Sequence, residues 1–304
     1  MISNAVSVDN KDCSPLARAS MLYSLQLLVN KFGAATEPLL QIVTQLVESV
    51  SSKSSVEEVD HIYQTLSYFA AASLAGLEKS TKSLIKLMLD SITNPTHGRK
   101  VAQSFRILLA PSEILTKENF CVIRPLRKGR LWTLTVSDII TMFRSKADNQ
   151  TIKENCLIAL ASVLGYMELA LLQEHVDQIF PLLLEATNVK DDDETKAACI
   201  KIILDLIPVP SCQPVVESHL DSIIARMTDR THNTYDSPSD VRIPVRALAL
   251  DVLGALAKHI NPALLKSRKN KLMTELDFAL DDCSREVRNR AGMCKMAWFN
   301  LADL

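Results

Sequence analysis

VRALALDVLGALAKHI, residues 245–260, places Val245, Leu248, Ala249, Val252, Leu253, Leu256 and Ile260 at offsets 0, 3, 4, 7, 8, 11 and 15. That spacing is one face of a helix with 3.6 residues per turn. The register recurs along the chain. An aliphatic residue or Thr followed by Lys or Arg returns as Ile152-Lys153, Thr195-Lys196, Val245-Arg246 and Val287-Arg288, at spacings of 43, 50 and 42 residues. Offset 4 is always small (Cys156, Cys199, Ala249, Ala291), and offset 11 reads Val163, Leu206, Leu256, Trp298. Helices stack at about 8–10 Å only where the contacting side chains permit it, so a small residue there has a packing reason.

A second apolar series runs between these helices: Ile179-Phe180 with Leu183, Ile223-Ile224 with Met227, and Leu272-Met273 with Leu276. Its spacings of 44 and 49 track the first. Two alternating helices with a period in the forties are the signature of HEAT-type repeats. The fold class expected is therefore all-α, a HEAT-type α-α superhelical solenoid. The polar stretch Thr231–Ser239, THNTYDSPS, explains the longest spacing as an inter-helix insertion. In the last helix Arg290 and Lys295 occupy the offsets of Leu248 and Leu253, the polarity expected of an end cap.

Composition agrees. The chain of 304 residues has 7 glycines, where average usage would supply about 21. That shortage disfavours Gly-rich phosphate loops and hairpin-rich sheets. The N-terminal half is fainter. Ser14-Pro15 reads as an N-cap with Pro at the first helical position, and Gly33 as the stop after Phe32. Further helices are expected over Glu37–Val50, Val56–Ala72, Lys82–Ile92 and Val101–Leu109, with Pro111–Asn119 a loop. Pro125 and Gly129 predict a kink or break within Cys121–Trp132, before a helix at Ser137–Phe143. The expectation is about fourteen helices in a single solenoid over 1–304, clearest over 149–301 and fainter over 14–148.

Net charge is −1, which commits the chain to neither nucleic acid nor anionic membrane. Its distribution is uneven: 13 basic against 5 acidic residues from Lys82 to Lys153, and 12 acidic against 4 basic from Glu168 to Asp229. The longest nearly apolar run, Leu157–Leu172, is 16 residues and interrupted, too short to span a bilayer. Met1–Asn10 has no signal-peptide pattern. Seven cysteines form no C-x-x-C, and Cys156, Cys199 and Cys294 take the register positions of Ala and Val, so buried free thiols are expected. No phosphate-loop, dinucleotide, zinc-protease or nucleophile-elbow motif occurs, so neither catalysis nor a cofactor is expected. His175 and His219 lie 44 apart at matching repeat positions, and Asp191-Asp192-Asp193-Glu194 reads as helix capping rather than a metal loop.

Three basic groups remain: Arg124, Arg127, Lys128 and Arg130 beside Trp132; Lys266, Arg268, Lys269 and Lys271 before the last second-type helix; and Arg285, Arg288, Arg290 and Lys295 on the final helix. They are short and flanked by acid, so contact with protein is expected and direct nucleic-acid binding is not. The final helix would present its four cations as one broad basic face beside Val287, Ala291, Cys294 and Trp298. A solvated end cap is the alternative.

The ending LDFALDDCSREVRNRAGMCKMAWFNL, Leu276–Leu301, resembles the last repeat of the MMS-nineteen (Met-eighteen) family through Leu280-Asp281-Asp282, Val287-Arg288, Ala291 and Trp298-Phe299. PLLLEAT at Pro181–Thr187, VRALALDVLGAL at Val245–Leu256 and VAQSFRILL at Val101–Leu109 are also similar, so the resemblance covers roughly residues 84–301 and not the first 80. It departs at Cys283-Ser284, where the family is more basic, and in the longer loop Thr231–Ser239. The resemblance implies the C-terminal part of a longer solenoid, a non-catalytic adaptor of the cytosolic iron–sulfur protein assembly targeting complex. Its partners would be the other targeting subunits and apo client proteins, many of them DNA-repair and replication enzymes, with cytoplasmic and nuclear locations and no membrane. A HEAT-type scaffold for nuclear transport or nucleic-acid-associated complexes remains open as the alternative.

Overall fold

The structure, a computed structural model, describes residues 14–33, 37–50, 54–146, 148–231 and 242–301. The chain divides into two compact units, 1–166 and 167–304. Among the described residues both are built of helices and short 3-10 turns, with no strand.

The first unit opens with α1, Pro15–Phe32, where Ser14 Oγ accepts the N–H of Ala17 at 3.2 Å and Gly33 ends the helix at φ 44. Both signals lie where the sequence puts them. α2 (Glu37–Ser49) buries Leu40, Val43 and Val47 on one face. α3 (Val56–Gly76) starts at Ser55, whose hydroxyl accepts the N–H of Glu58, and stops at Leu77 in the left-handed region. α4 (Thr81–Ile92), α5 (Gly98–Ser104) with a 3-10 turn over Phe105–Leu108, α6 (Arg127–Ser145) and α7 (Gln150–Leu164) follow. In this unit α1, α3, α5 and α7 lie in one layer, with α4 and α6 side by side in the other. The α4–α5 turn is tight. A Cβ on Gly98 would sit 2.2 Å from the Ile92 carbonyl and 2.6 Å from Asn155 Nδ2, which itself donates to that carbonyl.

One expectation here needs correcting. The break stops at Pro125, and Arg127–Ser145 is a single helix through Gly129. Leu131, Thr135, Val136, Ile139, Ile140 and Phe143 are buried along it, and that stripe outweighs the roughly 1 kcal/mol that an interior glycine costs.

The second unit holds α8 (Leu169–Glu174), α9 (Val176–Ala186), α10 (Asp193–Leu206), α11 (Gln213–Ser218), α12 (Leu220–Thr231), α13 (Ile243–His259), α14 (Pro262–Leu280) and α15 (Arg285–Phe299). α10, α13 and α15 stack side by side, and α9, α12 and α14 form the layer against them. The small register positions Cys199, Ala249 and Ala291 are all buried in that stack, as is Cys156 in α7. Gly254 lets α13 approach α15 until an added Cβ would lie 3.7 Å from Cys294 Cα. Asp192 caps α10 through Thr195 N–H at 2.9 Å, the role read from the acidic run.

Breaks separate the second-type helices α9 and α12 from the short helices α8 and α11 ahead of them. His175 and His219 sit at the breaks, both half-buried, and His219 packs edge-on against Phe180 at 5.6 Å between ring centres. Apart from Thr231, the polar insertion lies outside the described residues.

Candidate protein-binding surface

The last repeat is locked to its neighbours by side chains one repeat period apart. Arg246 on α13 and Asp282, before α15, are both buried, with Nε 2.7 Å from Oδ2 and Nη2 donating to Oδ1 at 3.2 Å. Asp282 Oδ1 also accepts the N–H of Ser284 at 2.7 Å, turning the chain into α15. Trp298 is fully buried and its Nε1 donates to the Leu253 carbonyl at 2.8 Å. The pattern repeats inward. Arg226 donates to Leu184 O at 2.5 Å and Arg230 to Asn188 Oδ1 at 2.7 Å, each across 42 residues. Arg242 lies 3.6 Å from Asp193.

The basic residues expected to bind partners fall into this scheme one by one. Arg268 grips Asp221 across 47 residues, with Nη2 donating to Oδ2 at 2.8 Å. The hydrogen bond from that guanidinium holds the Asp221 carboxyl below the usual carboxylate range. Lys269 Nζ donates to the carbonyls of Phe299 and Leu301 at 3.1 Å each, at the C-terminal end of α15 where the helix dipole favours a cation. Lys266 is exposed. These three lie inside α14 rather than ahead of it, because Asn261 caps that helix with Pro262 at its first position.

On α15, Arg290 pairs with Asp251 of α13 and with Glu286 at 3.1 Å, while Lys295 pairs with Asp277 of α14. Arg288 donates to the carbonyls of Asp282 and Cys283 at 2.7 and 2.9 Å. Arg285 is exposed on the first turn. The expected single basic face is thus divided. Arg290 and Lys295 flank the buried stripe of Val287, Ala291, Cys294 and Trp298 on opposite sides, each turned to a different helix.

The C-terminal half of α15 turns apolar side chains outward. Met293, Met296 and Phe299 are 69%, 67% and 69% exposed, and Phe278 on α14 is 65% exposed. At 100° per residue the three lie opposite the buried stripe. Sequence reading missed them because they stand between the register positions; their spacing of three residues was the available signal. Isolated exposed apolar residues are ordinary, whereas several on one helix face make that face a candidate contact surface.

Among the described residues no group of three His, Cys, Asp or Glu side chains could hold an ion. Burial pushes the Cys156 and Cys294 thiols up to about 12 and raises Cys199 as well, so these sulfurs stay protonated and unreactive. No single described helix is long and apolar enough to cross a membrane.

The family described as RNAPII transcription regulator C-terminal, the C-terminal region of MMS19 proteins, matches residues 1–257. The chain belongs to this family. The match takes in the first 80 residues, which the resemblance in the sequence had left out. The MMS19 nucleotide excision repair protein homolog of Dictyostelium discoideum is 24% identical over 203 residues, covering 66% of this chain and 18% of that protein. The DNA repair/transcription protein mms19 of Schizosaccharomyces pombe is 23% identical over 299 residues, covering 94% of this chain and 27% of that protein. The chain therefore spans about a quarter or less of these relatives, and the family's named members are DNA repair and transcription proteins.

Solved structures agree on the fold. The karyopherin Kap121p bound to the extreme C-terminus of the protein phosphatase Cdc14p has a TM-score of 0.57 at 15% identity, covering 98% of this chain and 29% of that one. A designed armadillo repeat protein has a TM-score of 0.52 at 11% identity, covering 85% of this chain and 99% of that one. The fold class is the all-α repeat solenoid.

Proposed function

We propose that this chain is a non-catalytic protein–protein adaptor, part of a scaffold that links the cytosolic iron–sulfur assembly targeting subunits to apo client proteins, DNA repair and replication enzymes among them. Membership of the MMS19 family carries the reading. The scaffold acts in the cytoplasm and the nucleus, with no cofactor of its own.

Within it, the outward face of α15 is the docking surface for a targeting subunit. Met293, Met296 and Phe299 supply the apolar centre, with Arg285 and Arg288 at the edge. Arg290, Lys295, Arg268 and Lys269 serve the reading indirectly, by holding α13, α14 and α15 in register. The solved solenoids similar in fold include Kap121p bound to a segment of Cdc14p, an example of such a fold engaging protein.

Affinity purification of the tagged chain from cell extract tests this. Iron–sulfur targeting subunits should be recovered. Changing Met293, Met296 and Phe299 together to Asp should lower that recovery at least tenfold, since burying unpaired charge in an interface core costs more than about 1.4 kcal/mol, the free energy of a factor of ten. Recovery of nuclear-transport factors or nucleic acid in place of those subunits would overturn the adaptor reading.

A further inference from the structure

A second surface stands out in the first unit because its cations are not used by the fold. The basic residues of α5 and α7 are engaged: Arg99 pairs with Glu154 at 3.7 Å, Lys100 with Asp60 at 3.2 Å, and Lys153 lies 5.1 Å from the Phe143 ring centre. Lys82 and Lys86 on α4, and Arg130 and Lys146 at the two ends of α6, are different. All four are exposed, line one groove between α4 and α6, and make no ion pair or side-chain hydrogen bond among the described residues.

The groove has a volume of about 740 Å³ and an apolar floor of Leu89, Leu134 and Met142. Two carboxylates, Asp90 and Asp138, also line it, against the four cations. α4 has 12 residues, so the groove runs for about 18 Å at 1.5 Å per residue. Five or six extended residues fill that length at about 3.3 Å each.

We infer that this groove binds a short acidic peptide segment of a partner protein, with an apolar side chain seated on Leu89, Leu134 and Met142 and carboxylates facing the four cations. Three features select this occupant. The excess of positive charge requires an acidic ligand. The apolar floor requires an anchor that burial rewards. Single-stranded nucleic acid is disfavoured, because the groove holds no aromatic ring on which a base could stack and its two carboxylates repel phosphates. The inference rests on the chain being a binding scaffold and not on which complex it joins, so loss of the targeting subunits in the purification above leaves it standing.

A displayed library of random peptides, selected on the intact chain, provides the test. Enriched sequences should be rich in Asp and Glu around one or two Leu, Ile or Phe residues. Synthetic versions should lose affinity about tenfold or more on the Lys86→Glu/Arg130→Glu variant, and by a smaller factor on Lys86→Gln/Arg130→Gln, with melting unchanged because exposed charges contribute little to stability. Added salt should weaken binding to the parent chain. No acidic enrichment, or equal affinity for parent and Glu variant, would overturn the inference. So would tight binding of a single-stranded oligonucleotide that the same variant abolishes, which would assign the groove to nucleic acid.

Discussion

Removing Arg246 alone should harm the protein far more than removing Arg246 and Asp282 together. The two groups are 7% and 1% exposed and 2.7 Å apart. At an effective dielectric constant of about 20 their gross attraction is ~6 kcal/mol. Several kcal/mol of lost hydration per ion offset it, so the net contribution of the pair is close to zero. Deleting one partner forfeits the attraction and keeps the other ion's desolvation, which costs about 3–5 kcal/mol. Arg246→Leu should therefore lower the stability of the second unit by that amount. Asp282→Asn should do likewise, although Asn retains an oxygen for the Ser284 N–H that Asp282 accepts at 2.7 Å. The double variant should lose only about 1–2 kcal/mol, a coupling of at least ~4 kcal/mol.

The assay is built into the sequence. Trp132 lies in the first unit and Trp298 in the second. In a Trp132→Phe background, urea melts followed by Trp298 emission report the second unit alone. Single changes that each cost less than about 1 kcal/mol, or energies that add within about 0.5 kcal/mol, would refute the account.

Leu253, fully buried on α13, should lose about 3–5 kcal/mol as Leu253→Asp, whereas Arg290→Ala, which gives up a part-exposed ion pair, should lose about 1 kcal/mol or less; denaturant melts compare the two. Gly98→Ala should cost the first unit about 1–3 kcal/mol, because the new methyl meets the Ile92 carbonyl, and Trp132 emission in a Trp298→Phe background follows it. Alkylation of the native chain at pH 8 should reach exposed Cys283 and spare Cys156, Cys199 and Cys294, with mass spectrometry locating the adducts. Because burial raises the Cys156 and Cys294 thiols from 9.0 to about 12, their contribution to stability should be complete below pH 9 and fade between pH 9 and 12, as melts across that range would show.

What could be read from the sequence was what depends on residues close in the chain. The face of α13, the caps at Ser14 and Asp192, and the small positions Cys199, Ala249 and Ala291 are each set within a few turns. The short helices α8 and α11, ahead of His175 and His219, lie outside both apolar series and so were not read from the sequence. Gly129 did carry a stop signal, and the buried stripe from Leu131 to Phe143 overrode it. The outward face of α15 escaped notice because a search for the buried stripe passes over whatever lies opposite.

The arginines show a different limit. Arg268, Arg290 and Arg246 meet acids 47, 39 and 36 residues away, separations near the repeat period. In a stacked array a residue faces its counterpart one repeat on, so an arginine's partner is found by moving one period along the chain, not by scanning its own helix. A cation paired with an acid at that distance belongs to the stack: its charge is spent on alignment, and changing it disturbs stability before binding. A cation that makes no ion pair among the described residues, such as Lys86, is not used in this way, and the groove proposal rests on such cations. Charge density along the sequence cannot separate the two kinds, whereas their pairing can, which is why the acidic-peptide proposal is made for the groove between α4 and α6 and not for Arg290 and Lys295.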